Sequence, residues 1–251
     1  MIEGVAGVVL AAGAGTRLRP LTLVRPKALC PIDNVPLVDV ALGQVSAVTS
    51  SIAVNVHHGR ALMETHLGER GVHLSVEEPE ALGTAGALGN LRAWIDGRDV
   101  LLANADAWRS HGLGALTEDW DGSRARLLVT EDAARGDFGR WRYAGAALLP
   151  WSEVRDLTPE PAGLYEVSWA RLENEGSLDL VPLKGTFIDC GTPSDYLAAN
   201  LAASGGRSVV GEGAVIAGEL ERSVVWPGGV VGRDERLVDA IRVWDWMTVP
   251  G

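Results

Sequence analysis

A strand-like apolar run, Val8-Val9-Leu10-Ala11-Ala12, breaks into Gly13-Ala14-Gly15-Thr16-Arg17-Leu18-Arg19-Pro20, and Arg25-Pro26-Lys27 follows. Residues of these types at this spacing handle phosphate. Glycine has no Cβ and visits φ > 0 freely, so the backbone through Leu10, Ala12, Gly13, Gly15 and Thr16 can approach an anion and turn N–H groups toward it. Arg17 adds a planar fork for bidentate contact with phosphate oxygens, and Lys27 a compact charge on a long stem. The chain has twenty arginines but only two lysines, Lys27 and Lys184, so a lysine inside this loop is informative. A dinucleotide-binding turn would need a third glycine and an uninterrupted helix, and Pro20 stands where that helix would run. A Walker loop would need Gly-Lys-Ser/Thr, and no lysine follows either glycine closely. The plain alternative is a glycine pair that only turns a strand.

The elements that must position these residues are read from periodicity. Apolar runs predict strands over 5–10, 52–56, 73–76, 100–102, 125–129 and 144–149, and helical spacing predicts helices over 37–48, 61–67, 84–94, 113–120 and 165–174. Strand alternating with helix implies an α/β fold, a mostly parallel Rossmann-like sheet with helices on both faces. In such sheets ligands lie at the carboxyl ends of the strands, where the glycine loop, Asn104-Ala105-Asp106 and the Glu77-Glu78 turn all fall. Thr192-Pro193-Ser194-Asp195 opens the last helix with a capping side chain, a first-turn proline and an acid at the positive end. Gly205-Gly206 then marks a boundary between a catalytic domain, 1–204, and an extension, 205–251. In the extension Ser208-Val209-Val210-Gly211 recurs as Ser223-Val224-Val225-Trp226, which suggests stacked coils of a β-helix, and the stretch resembles a short hexapeptide-repeat tail, which implies a left-handed coil. A few coils cannot bury their own core, so they should pack on the catalytic domain or on another subunit of a homo-oligomer; a valine-rich hairpin pair is the alternative.

With 251 residues, 47% of them hydrophobic, the chain can bury a full core. A net charge of -11 argues against nucleic acid and anionic membranes as partners, since only a local basic patch could overcome that field. No charged-then-apolar leader opens the sequence and no apolar run approaches the ~18 residues of a spanning helix, so a cytoplasmic location is expected. Cys30 and Cys190 form no Cys-x-x-Cys pair and the histidines lack metal-ligand spacing, which leaves reduced thiols and no zinc site as the expectation.

The sequence resembles the sugar-1-phosphate nucleotidyltransferases, also called nucleoside-diphosphate-sugar pyrophosphorylases. The likeness is carried by the stretch from Leu10 to Thr22 with Arg25-Pro26-Lys27-Ala28-Leu29. It extends through Leu82-Gly83-Thr84-Ala85-Gly86, Asn104-Ala105-Asp106, Tyr143-Ala144-Gly145 and Ile188-Asp189-Cys190-Gly191-Thr192-Pro193. It implies transfer of a nucleoside monophosphate from a nucleoside triphosphate to a sugar 1-phosphate, in which one anionic oxygen attacks another anionic phosphorus as pyrophosphate leaves. Magnesium held by one or two carboxylates would neutralise that charge, and no general base is required because the sugar phosphate is already ionised. The resemblance assigns Arg17, Lys27 and Asp106 to catalysis, Asp106 and Asp189 to the metal, and Gly83 with Thr84 to the nucleotide. Asn104 and Gly145 fall to the sugar phosphate. A strand glycine such as Gly145 more often marks a bulge, and either aspartate alone could be a strand-end cap.

The chain departs from that family's pattern in two places. Ala105 stands where glycine is usual. The stretch from Glu131 to Arg140 lacks the hairpin and Glu-Lys-Pro motif whose lysine meets the sugar phosphate, so the chain is similar to the short members. Arg140, Arg135 or Arg142 would have to supply the charge, because Lys184 lies ~16 Å from Asp189 if both share a strand. Glu78 is the candidate base reader. A carboxylate accepts both adjacent donors of guanine and repels uracil oxygens, which points to guanosine triphosphate and a mannose-1-phosphate-like acceptor; a solvent-facing acidic turn is the alternative. Uridylyl or thymidylyl transfer, a catalytically silent nucleotide-sugar-binding regulator and a nicotinamide-dependent dehydrogenase are the competing functions.

Overall fold

The structure is a computed structural model that describes residues 3–251. It divides into two compact units, Met1–Gly13, Ala41–Ala105 and His111–Phe187 in the first, and Ala14–Val40, Asp106–Ser110 and Ile188–Gly251 in the second. The division therefore falls inside two of the motifs, after Gly13 and after Ala105, and does not follow the 204/205 boundary.

The first unit is built on a seven-stranded sheet of β1 (Val5–Leu10), β2 (Ile52–Val56), β3 (His73–Val76), β4 (Asp99–Asn104), β5 (Ala125–Glu131), β6 (Trp141–Leu149) and β7 (Leu178–Pro182), in the order β7-β5-β6-β4-β1-β2-β3. β1 pairs in parallel with both β4 and β2, β2 with β3, and β7 with β5, while β6 runs antiparallel to β4 and β5. Side chains alternate faces along a strand. Ala6 and Val8 of β1 therefore share a core with Ala85, Leu88, Leu91 and Ile95 of the helix Gly83–Ile95. A Cβ on Gly7, between them, would lie 2.4 Å from Val45 of the helix Leu37–Ser46, so that helix covers the opposite face. Strands buried on both faces have no need of polar alternation, which is why their apolar runs were legible.

Two predicted helices differ. Only Gly114–Thr117 of the 113–120 segment is helical, because Glu118 turns extended and Asp119 adopts φ 49°. The 165–174 segment begins as a π-turn, Tyr165–Trp169, before the helix Ala170–Asn174. Lys184 shares no strand with Asp189, since β7 ends at Pro182 and the next strand starts at Phe187.

In the second unit the coils stack as predicted from the repeat. Val209 pairs with Val224 and Val224 with Ile241, Val215 pairs with Val230, and Glu219 pairs with Arg236, all in parallel, giving three separate strand stacks. Val209, Val224, Trp226, Ile241 and Val249 join Leu18, Leu21, Cys30, Ile32, Cys190 and Tyr196 in one core. Trp226 is fully buried, its Nε1–H donates to Tyr196 Oη at 3.0 Å, Tyr196 Oη donates to the carbonyl of Pro31, and the Arg25 guanidinium lies 4.5 Å over the indole. The coil is thus part of the hydrophobic support of the loop that carries Arg25 and Lys27. Trp226→Ala should lower stability by about 3–5 kcal/mol in chemical denaturation, with Trp226→Phe losing less. An unchanged midpoint for Trp226→Ala would show that the coil is not part of that core.

Candidate functional site

In the second unit three short 3-10 turns, Thr16–Leu18, Leu21–Leu23 and Lys27–Leu29, replace the helix that a dinucleotide turn would open. Leu18 and Leu21 are buried, which pins the loop while leaving Arg17 exposed. Only one of the two loop glycines adopts positive φ. Gly15 sits at φ 59°, and a Cβ there would meet Lys27 Cβ at 2.9 Å and Thr22 Cγ2 at 3.0 Å, whereas a Cβ on Gly13 would meet nothing within 4 Å. Thr22 Oγ1 donates to the Gly15 carbonyl at 2.9 Å and closes the turn.

Lys27 is buried, and its ammonium lies 3.1 Å from Asp106 Oδ2 and 3.5 Å from Asp189 Oδ1. Arg17 reaches Asp189 at 3.6 Å, and its guanidinium passes so close to Gly191 that a Cβ there would lie 2.9 Å away. Asp106 and Asp189 are brought together by the pairing of the short strands Ala107–Arg109 and Phe187–Asp189 and by the Cys190 N–H to Asp106 carbonyl bond at 3.2 Å. Four residues distant in sequence, Arg17, Lys27, Asp106 and Asp189, thus form one charge cluster of two cations and two carboxylates. Ala105 is buried and leaves Asp106 partly exposed. Burial pushes the Cys30 thiol up to about 12 and raises that of Cys190, so neither presents a thiolate.

In the first unit Leu10 and Asn104 face each other in register at the carboxyl ends of β1 and β4, beside Ala12 and Gly13. The Asn104 Oδ1 atom is buried and has no hydrogen-bond partner in the structure. Gly145 has φ 71° at a bulge in β6, where the register jumps from Leu127 opposite Ala147 to Val129 opposite Tyr143. Gly83 and Thr84 are committed to the chain's own backbone. A Cβ on Gly83 would meet the Ala162 carbonyl at 2.6 Å, one on Gly86 the Glu160 carbonyl at 2.3 Å, and Thr84 Oγ1 accepts from Leu164 N–H at 2.8 Å. Arg140 pairs with Glu131 at 3.5 Å over the Trp141 ring, while Arg135 and Arg142 lie 3.0 Å and 3.8 Å from Asp132. Glu78 is exposed and accepts from Arg60 at 2.5 Å, whereas its neighbour Glu77 is buried. Sequence reading passed over Glu77 and Asn55, a buried asparagine in a strand; a polar residue inside an otherwise apolar run was the available signal.

The model of the nucleotidyl transferase family matches residues 6–140. The chain belongs to that family. This nucleotidyl transferase is 32% identical over 227 residues to N-acetylmuramate alpha-1-phosphate uridylyltransferase from Caulobacter vibrioides, across 76% of this chain and 94% of that one. It is 28% identical over 233 residues to mannose-1-phosphate guanyltransferase from Saccharomyces cerevisiae, across 78% of this chain but 63% of that longer protein. Its fold matches UDP-glucose pyrophosphorylase from Acinetobacter baumanii with TM-score 0.64 at 19% identity, over 80% of this chain and 93% of that one.

Gly15→Ala forces an alanine into the left-handed region and against Lys27. It should lower both melting temperature and turnover of this nucleotidyl transferase, the latter by about tenfold or more; wild-type turnover would show that the loop relaxes freely. Because Glu78 is held by Arg60, Glu78→Gln should move the ratio of guanosine to uridine triphosphate use by less than about threefold. A shift toward uridine triphosphate of about tenfold would place Glu78 on the base.

Proposed function

We propose that this nucleotidyl transferase moves a nucleoside monophosphate from a nucleoside triphosphate to a sugar 1-phosphate. An oxygen of the sugar phosphate forms the new bond to the α-phosphorus as the bond to pyrophosphate breaks, and pyrophosphate carries the negative charge away. The observation that carries this reading is the buried Lys27 ammonium between Asp106 and Asp189, with Arg17 exposed beside them. Such a reaction needs cations aimed at phosphate oxygens, which Arg17 and Lys27 supply, and no group that removes a proton. The names of the uridylyl and guanyl transferase relatives support it.

The residues also fit a divalent ion. Asp106 and Asp189 converge on one ammonium, so a cation could engage both, and a set of only two carboxylates suits magnesium, which completes its shell with water and phosphate oxygens. When bound, magnesium would supply charge neutralisation at the phosphates. Lys27 holds the two carboxylates in place, and the exposed Arg17 would turn from Asp189 toward the triphosphate. The nucleoside is assigned to Leu10, Ala12, Gly13, Gly83 and Thr84, its phosphates to Gly15, Thr16, Arg17 and Lys27, and the sugar phosphate to Asn104 and Gly145. The unpartnered Asn104 Oδ1 is an acceptor suited to a hydroxyl. Arg140 would have to leave Glu131 to assist. In this reading 1–204 carries the reaction and 205–251 supports it and contributes to a homo-oligomer in the cytoplasm. Among the described residues no helix is long and apolar enough to cross a membrane.

Guanylyl transfer to a mannose-1-phosphate-like sugar and uridylyl transfer each have a relative in support, and Glu78, exposed and paired with Arg60, would have to leave that pair to read guanine. Asp106→Asn and Asp189→Asn should each lower turnover by about 10² or more while the fold is kept, measured by pyrophosphate release from uridine or guanosine triphosphate over a panel of sugar 1-phosphates. Activity within threefold of wild type in either variant would remove the metal assignment. Nucleotide-sugar binding without product in the wild type would favour a regulatory homologue.

A further inference from the structure

Glu77 is the one carboxylate among the described residues that is buried, at 1% exposure. Its Oε1 accepts from Asn55 Nδ2 at 2.7 Å and its Oε2 from the Leu82 N–H at 2.8 Å, while Asn55 Oδ1 accepts from the Ala11 N–H at 2.6 Å. Glu77 is itself anchored, its N–H donating to the Val56 carbonyl at 3.0 Å and its carbonyl lying 2.9 Å from His57 Nδ1. The chemistry fixes the direction of this relay. A carboxylate only accepts, so Asn55 must show it the amide nitrogen, and the amide oxygen is then left for Ala11. One buried charge therefore ties the backbone of the Leu10–Gly13 loop, through Asn55, to the backbone at Leu82, where the Gly83–Ile95 helix starts.

We propose that Glu77, acting through Asn55, is a positioning residue for the nucleotide. It sets the Leu10–Gly13 backbone and the Leu82–Thr84 backbone in their binding geometry before the ligand arrives, so that the ordering cost is met by folding and not by binding. This rests on the reading above that the nucleoside lies on those two stretches. A purely apolar core residue would not join two loop N–H groups, and a buried carboxylate without such donors would be strongly disfavoured.

The test uses the relay's polarity. Glu77→Gln leaves a donor facing a donor at either Asn55 or Leu82, and Asn55→Asp sets a carboxylate against a carboxylate. The double variant restores every bond, because the carboxylate introduced at position 55 accepts from the Ala11 N–H and from the amide nitrogen introduced at position 77, whose amide oxygen accepts from the Leu82 N–H. Calorimetric titration with magnesium and uridine or guanosine triphosphate should show each single variant weakened by about tenfold or more and the double variant within about threefold of wild type. The KM for glucose 1-phosphate or mannose 1-phosphate should move less than about threefold in every folded variant. Folded single variants with wild-type nucleotide affinity, or a folded double variant no tighter than the weaker single one, would overturn the proposal. If a single variant does not fold, the double variant decides alone. In the unmodified protein, amide exchange at Ala11 and Leu82 should already be slow without nucleotide; slowing of more than about tenfold at either amide on adding uridine triphosphate would overturn the preorganised relay. Wild-type protein that binds neither triphosphate would instead remove the nucleotide reading itself.

Discussion

A buried ammonium has to be balanced, and the second unit is arranged around that requirement. Lys27 is held almost out of water, where an unpaired charge is disfavoured by several kcal/mol. Two carboxylates, Asp106 and Asp189, lie within 3.5 Å of it. To bring them there, a strand ending at Asp189 pairs with the strand following Asp106, Gly15 folds back against the Lys27 stem, and Gly191 leaves room for Arg17. The same arrangement leaves two carboxylates facing one ammonium and the Arg17 guanidinium exposed beside them. Under the proposed function, stability and phosphate chemistry would draw on one set of charges.

Glycine in this protein serves backbone packing as much as ligand approach. On the Gly83–Ile95 helix, Gly83, Gly86 and Gly89 lie three residues apart and each faces a carbonyl of the 158–162 segment, with Cβ positions 2.2 to 2.6 Å from Ala162, Glu160 and Thr158 oxygens. The segment is secured by Ala85 N–H to Ala162 carbonyl and Ala162 N–H to Leu82 carbonyl bonds, both 3.0 Å. A groove cut by three small residues allows an irregular segment with two prolines to lie on a helix without pairing in a sheet. The start of this helix is therefore held from both sides, by the 158–162 segment and by Glu77.

The C-terminal coils have two environments. Their inward valines, with Trp226, close the core over Leu18, Cys30 and Tyr196, while Val210, Val215, Val230 and Val238 remain exposed. The indole of Trp226 serves three partners at once, an apolar core, a tyrosine hydroxyl and a guanidinium. This makes the extension a brace for the 14–40 loop.

The sheet and the charge cluster were legible in the sequence because their causes are local or chemically distinctive. Strands buried on both faces are mostly apolar, so the runs of β1 and β2 could be read to the residue, Asn55 being the one polar interruption of β2, while the edge strand β3 was read from its alternation of polar His73 and Ser75 with apolar Leu74 and Val76. A lysine in a chain that otherwise uses arginine, beside glycines and Arg17, marked the loop by its own chemistry, while the addition of Asp106 and Asp189 to Arg17 and Lys27 came from the resemblance to the nucleotidyltransferase motifs. The coil register was written in a repeat of fifteen residues, as Val209 to Val224 shows. Partners were not legible. Which of two adjacent glutamates is buried depends on the path of the chain after β3, and the structure turns Glu77 inward to Asn55 and Leu82 and leaves Glu78 to Arg60. Whether a glycine bends the chain or makes room is likewise fixed by what packs against it, as Gly15, Gly83 and Gly145 show in three different ways. Sequence determined which residues could do chemistry, since that is a property of side chains and period. Only the tertiary structure decided which of them are free to do it, since burial and hydrogen-bond partners belong to residues brought together from far along the chain.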